Sequence, residues 1–268
     1  MSEGTTGGGV SQSVIAVVAN NKGGVGKSLF SALAHEQLSL NNQPRWDLIE
    51  IEHKARHSQE DFSHAPGTKL TCITLVDGPD GEPSAAPLYM LHSFIPGKDA
   101  AARRLLVDCG GSAWQAIYRW GVGPREGELG FARFVREKFK FISFIPVQAN
   151  DPEAVQFFNE NVEVLSDFGP VVLVKNGHHG TNFRGLDAAL VEKCLSVSIP
   201  QIGEVLQSEM SVPGDPTAAE EKDRNGKRFT FRQVAANPSS SRRARVDANR
   251  CVEQFSAEFQ RVCRLLEL

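Results

Sequence analysis

The chain has no apolar run approaching the roughly 18 residues of a membrane span and no C-x-x-C pair. Its five cysteines (Cys72, Cys109, Cys194, Cys251, Cys263) are odd in number and scattered. That distribution argues against an iron–sulfur cluster, a zinc ribbon or a disulfide framework, and reads as reduced thiols in a cytoplasmic protein. Tyrosine is scarce, with only Tyr89 and Tyr118. No sign of charge dominates, since the net charge is −3 over 268 residues. Any affinity for nucleic acid must therefore come from local clustering. The first 12 residues lack a basic n-region and an apolar h-region. They are expected to form a flexible leader rather than a secretion signal. Residues 13–268 then form one domain, large enough to bury a core without covalent staples.

What is present is an alternation of strand-length apolar runs with helical periodicity. Strands are predicted at Val14–Ala19, Trp46–Glu52, Arg103–Cys109, Lys140–Val147, Pro170–Asn176 and Ser196–Pro200. Between them lie helical patterns at 28–40, 131–139, 151–168 and 186–194. Asp151 followed by Pro152 and Glu153 is a strong helix start, combining an N-cap, a proline in the first turn and an acid there. Buried β-branched strands separated by helices predict a doubly wound, mostly parallel sheet flanked by helices. Thr71–Val76 and Pro87–Phe94 suggest a hairpin around the turn-rich "DGPDGEPSAA". Residues 211–245 read as a basic loop broken by a short helix, and 246–266 as a closing helix.

The chemistry concentrates in "NNKGGVGKS", Asn20 to Ser28, set between the first strand and the first helix. A glycine loop in that position is a phosphate cradle, because successive backbone N–H groups converge on phosphate oxygens without Cβ interference. The strict G-x-x-x-x-G-K-[ST] pattern fails at Asn21, whereas K-G-G-x-G-K-[ST] matches Lys22, Gly23, Gly24, Val25, Gly26, Lys27 and Ser28. Lys27 is expected on the β/γ-phosphates, Ser28 on Mg²⁺, and the following N–H groups, including that of Leu29, at the helix N-terminus.

The second lysine, Lys22, makes the loop resemble the deviant Walker A of the ParA/MinD family of ATPases. The resemblance covers about residues 13–210. It implies a P-loop fold, Mg²⁺–ATP as cofactor and an ATP-dependent homodimer in which Lys22 reaches the partner's nucleotide, a role like that of an arginine finger. "RLLVDCGG" resembles the Walker B and switch II of that family. It nominates Asp108 for the metal's water and Gly111, or Gly110, for the γ-phosphate. The usual D-x-x-x-G is compressed here to D-C-G-G. Where the second strand of the family ends D-x-D-P, this chain has Glu50 and Glu52. Both face one side of a strand, so Glu52 is expected to orient the attacking water and Glu50 to lie near Mg²⁺, with solvated edge charges as the rival. "VVLVKNG" nominates Asn176 for the adenine, and "VSIPQIGEV" places Pro200 beside the base. His178 and His179 lack a third ligand and read as loop residues. The branch most similar in these features is that of the conjugative-plasmid TraL-like and StbB-like ATPases. A metallocluster carrier would need paired cysteines, and a polysaccharide tyrosine kinase would need a tyrosine-rich tail.

Between Lys222 and Arg250 nine basic residues face two acids, Asp223 and Asp247. Arg228, Arg232, Arg242, Arg243 and Arg245 are candidates for nonspecific contacts to DNA phosphates; the alternative is a solvated basic loop. In the last helix Val252, Phe255, Phe259, Val262 and Leu266 form one apolar stripe. Without a lysine-rich polar face it is expected to pack on the core rather than on a membrane. A stimulating or adaptor protein is a further expected partner. A MinD-like positioning ATPase and an ATP-binding module with little turnover remain the alternatives.

Overall fold

The structure is a computed structural model that describes residues 12–40, 45–53, 58–62, 64, 68–77, 84, 93–94, 101–117, 139–212 and 227–268. The predicted leader, the helix at 131–139 and the second hairpin arm lie almost wholly outside these residues.

Seven strands form the sheet: β1 (Ser13–Val18), β2 (Trp46–His53), β3 (Leu70–Leu75), β4 (Arg104–Cys109), β5 (Phe139–Gln148), β6 (Val171–Asn176) and β7 (Leu195–Ile199). Their order is β3-β2-β4-β1-β5-β6-β7, and every pairing is parallel. Parallel neighbours need crossovers, and a parallel sheet must be covered on both faces. The alternation along β1 shows that cover directly. Val14, Ala16 and Val18 face one core, and Ile15, Val17 and Ala19 the other.

The first core is closed by α1 (Lys27–Leu40) and α7 (Arg242–Leu265). There Phe30 of α1 meets Phe144 at 5.0 Å, and Phe255 stacks on Phe259 at 5.4 Å. The second core is closed by α2 (Gly111–Ile117) and α3 (Pro152–Ser166), where Trp114 meets Phe157 edge to face at 5.8 Å. Helix α3 begins as its sequence dictates, with the Asp151 carboxylate accepting from Glu153 N and Ala154 N. Among the described residues three further short helices follow, α4 (Ala188–Glu192), α5 (Glu204–Glu209) and α6 (Phe231–Ala236).

Two differences from expectation have physical reasons. Leu70–Leu75, expected as one arm of a hairpin, has its described pairing elsewhere, and the other expected arm lies almost wholly outside the described residues. Strand β3 pairs parallel with β2 at the sheet edge, Ile51 opposite Ile73, because alternation reports a half-buried strand without naming its partner. Residues expected as a basic loop hold structure: β8 (Ser211–Val212) pairs antiparallel with β9 (Lys227–Arg228), and α7 starts at Arg242 behind its N-cap Ser241. The apolar stripe of α7 is interior, with Phe255 and Phe259 each 1% exposed. Among the described residues no helix is long and apolar enough to cross a membrane.

Candidate functional site

The carboxyl ends of β1, β2, β4 and β6 gather the candidates at one edge of the sheet, where open α/β sheets place their ligand crevices. The loop after β1 is tied down before it turns. Asn20 is fully buried and donates to the carbonyl of Pro146 (2.8 Å), while its Oδ1 accepts from Lys22 N (2.9 Å). Gly24 and Gly26 hold φ of +79° and +95°, a region costly for residues with a Cβ. Asn176, at the end of β6, donates to Val25 O (3.0 Å) and clamps the loop from the far side.

Lys27 is buried and donates through Nζ to Lys22 O (2.7 Å), so its ammonium lies across the loop. Burial lowers its pKa, opposed by the nearby carboxylates of Asp108 and Glu52. Lys22 points elsewhere. Its Nζ pairs with Glu153 in the first turn of α3 at 2.7 Å, and hydrogen bonding and charge from that glutamate raise its pKa.

The acidic side is built by register. Glu50 on β2 and Val18 on β1 both lie level with Asp108 on β4. Asp108 is 1% exposed, and burial pushes its pKa up against the hydrogen bond from Gln59 and the charge of Lys27. Glu50 accepts the Gln59 backbone N–H on both oxygens, each at 3.0 Å. The carboxylate of Glu52 reaches over Gly110, and a Cβ on that glycine would stand 1.9 Å from Glu52 Oε2. Burial and then Asp108 raise the Glu52 pKa, while Lys27 lowers it. Gly110 N–H is already donated to Ile51 O (2.8 Å). Gly111 opens α2 directly beneath the loop, where a Cβ would come 2.6 Å from Asn21 O.

Gln59 is the site residue that sequence reasoning missed. It sits in a 3₁₀ turn (Ser58–Asp61) and is fully buried. Its Nε2 donates to Asp108 Oδ2 (2.7 Å) and Ser28 O (2.9 Å), joining β4 to the first turn of α1. Asp108 Oδ1 and Gln59 Oε1 are buried without a hydrogen-bond partner. Each such acceptor costs about 1–3 kcal/mol unless something donates to it. These orphaned oxygens fit a hydrated Mg²⁺, which keeps several waters and takes one or two carboxylates plus phosphate oxygens. Among the described residues no group of three or more His, Cys, Asp and Glu side chains could hold an ion by protein ligands alone.

A cleft opens from the loop away from the carboxylates. Gly24, Gly26, Leu29 and Asn176 line its near side, and Ile202, Met210 and Arg228 its far side. Pro200 directly follows β7, two residues before Ile202. The Arg228 guanidinium lies over the Phe62 ring, 5.0 Å from its centroid. Arg228 is thus brought to the cleft, and Arg232 pairs with Glu36 at 3.8 Å. Arg242, Arg243 and Arg245 fall in the first turns of α7, with no acid in its first turn. Cations at that end oppose the helix dipole. His178 lines the cleft and His179 is exposed.

The chain matches no family model, and it matches no curated protein. Among solved structures it is similar to the crystal structure of a ParA family ATPase from Chlorobium tepidum TLS, at 12% identity and a TM-score of 0.41. That likeness covers 74% of this chain and 87% of the other. A likeness of that size carries no chemistry to this chain.

Proposed function

We propose that the chain is a Mg²⁺–ATP-dependent switch of the ParA/MinD type. It dimerises on ATP, binds DNA nonspecifically in that state and releases it on hydrolysis. The observation that carries this reading is the convergence of a two-lysine glycine loop on the buried carboxylate of Asp108, one of whose oxygens has no partner. The loop N–H groups and Lys27 bind phosphate oxygens, and the N–H of Gly111 is the one left for the γ-phosphate, because that of Gly110 is engaged. Ser28 and Asp108, with Glu50 behind them, would hold Mg²⁺, which would supply charge neutralisation at the phosphates. Glu52 orients the attacking water. Lys22 leaves Glu153 to neutralise charge on the partner's phosphates. The cleft beside Asn176 takes the base.

Arg242, Arg243 and Arg245 stand together at the positive end of α7, an arrangement that phosphate anions would relieve. The biology that suits such a switch is plasmid or chromosome partition, plasmid stability or conjugal transfer, in the cytoplasm and on the nucleoid. An adaptor protein stimulates turnover. A second reading, an ATP-binding module with little turnover, is favoured by one feature: glutamates, one methylene longer than aspartate, stand at Glu50 and Glu52 where the resembled motif has D-x-D. The MinD-like membrane alternative is disfavoured by the interior position of Phe255 and Phe259.

DNA binding across a salt series, with ATP, with ADP and without nucleotide, tests the reading in wild type and Lys22→Ala. The switch requires ATP-dependent, salt-steep binding that Lys22→Ala loses. Binding indifferent to nucleotide, or absent throughout, refutes it. Phosphate release separates the enzyme from the binding module.

A further inference from the structure

Gln59 lies seven residues beyond Glu52, in a turn that no motif marks, yet it touches every element of the metal side of the site. Its backbone N–H is held by Glu50. Its carbonyl accepts from Phe62 N at 3.2 Å and lies 2.9 Å from His64 Nε2, which must donate there because a carbonyl cannot. Its Nε2 is shared between Ser28 O and Asp108 Oδ2. Both of those are oxygen acceptors, so the carboxamide orientation is fixed and the remaining atom is the oxygen. Every polar group of Gln59 therefore has a partner except Oε1, and Asp108 Oδ1, on the carboxylate to which Gln59 Nε2 donates, is likewise buried and unpartnered.

We propose that Gln59 is a positioning residue for the metal. Its carboxamide holds Asp108 through Nε2 and offers Oε1 to a water of the cation's inner shell, so that Asp108 and Gln59 present a pair of acceptors to a hydrated Mg²⁺. This rests on the nucleotide-and-metal reading above and extends it to a residue outside the motifs that suggested it. Water bound to a divalent cation is a strong donor, and two acceptors on groups already hydrogen-bonded to each other are preorganised for it. An amide also suits the position better than a third carboxylate. It can donate to Asp108 and Ser28 O with one atom and accept from water with the other, whereas a glutamate beside Asp108 and Glu50 would add like charge.

The test separates metal affinity from nucleotide affinity. Full-length wild type, Gln59→Met and Gln59→Asn are titrated with N-methylanthraniloyl-ADP in EDTA, and then with Mn²⁺ at saturating nucleotide, read by electron paramagnetic resonance. Methionine keeps the volume and removes both amide functions; asparagine keeps the amide and withdraws it by one methylene. The expected result is Mn²⁺ affinity about tenfold weaker in Gln59→Met and weakened in Gln59→Asn, with metal-free nucleotide affinity within about twofold of wild type. Loss of both affinities in parallel would assign Gln59 a merely structural part and overturn the proposal, as would unchanged Mn²⁺ affinity. Should Gln59→Met fail to melt cooperatively, the same ratio read from Gln59→Asn decides. Wild-type protein that binds no nucleotide removes the underlying reading, and this inference falls with it.

Discussion

Three glycines of one loop should respond differently to the same added methyl group, although a motif treats them alike. At Gly23 a Cβ would meet nothing within 4 Å, and the backbone is not in the left-handed region. Gly23→Ala should leave the nucleotide-free protein unchanged or more stable by about 0.4–1 kcal/mol, through a less flexible unfolded chain. Gly24→Ala also points into open space but at φ +79°, so strain of about 1–2 kcal/mol is the whole cost. Gly26→Ala combines φ +95° with a Cβ 2.5 Å from Asn176 Nδ2. Asn176 must swing away and give up its bond to Val25 O, adding about 1–3 kcal/mol for the lost buried bond. The sum is roughly 3 kcal/mol, which at about 2–4 °C per kcal/mol is a fall in Tm of about 6–12 °C. Calorimetry and urea unfolding without nucleotide measure the series. If Gly23→Ala destabilises as much as Gly26→Ala, conformational space is not what the loop's glycines provide, and the reasoning fails.

Arg228→Ala should weaken nucleotide binding severalfold and, at saturating ATP, leave DNA affinity nearly unchanged, since Arg228 lines the cleft over Phe62. Arg242→Ala/Arg243→Ala/Arg245→Ala should do the reverse, lowering the salt slope of DNA binding by about 0.9 for each phosphate that is no longer neutralised; identical effects from the two would dissolve the distinction. His35 is 2% exposed and bonded to Trp46 O, and burial depresses its pKa from 6.5 to about 4. Between those values the unfolded chain takes a proton that the folded chain refuses. Stability is therefore full above pH 6.5 and falls as the pH drops towards 4, by on the order of 3 kcal/mol. Urea midpoints at pH 7.5 and 4.5 should show that slope reduced in His35→Gln, and an equal slope in both proteins would refute the assignment.

Much of the fold was legible because its signals are local. The boundaries of β1, β2 and β4 fall within a residue of their apolar runs, and Asp151-Pro152 marks the start of α3 where the cap forms. Other features depend on distant partners. Gln59 gains its meaning from Asp108, 49 residues on, and Lys22 is held by Glu153, 131 residues on. No periodicity encodes either pairing. The start of α7 was masked by its own chemistry. Ser241 is a readable cap, but the three arginines behind it run against the dipole preference that helix-start rules use, and the apolar stripe begins only further along. Strands of two residues, such as β8 and β9, are too short to show any period.

Two of the departures from the resembled motifs, glutamate at Glu52 and the compressed D-C-G-G, meet in space and explain each other. A side chain one methylene longer than aspartate needs room at the end of β4, and the room is Gly110, where a Cβ would stand 1.9 Å from Glu52 Oε2 and 2.3 Å from Cδ. Gly110 is not held at positive φ, so alanine there meets no backbone strain, only the Glu52 carboxylate. Gly110→Ala should therefore cost about 1–2 kcal/mol, the usual range for overpacking softened by a side chain that can swing aside. In a Glu52→Asp background the same change should cost less than about 0.5 kcal/mol, because the shorter carboxylate no longer fills the space. The difference is a coupling of the size expected for residues that touch, read from urea unfolding of the four proteins. Equal costs in both backgrounds would mean that the glycine serves the backbone alone and that the glutamate arrived independently of it. A positive coupling would make the long carboxylate and the short loop one adaptation, with Glu52 held over the switch by the glycine that makes space for it.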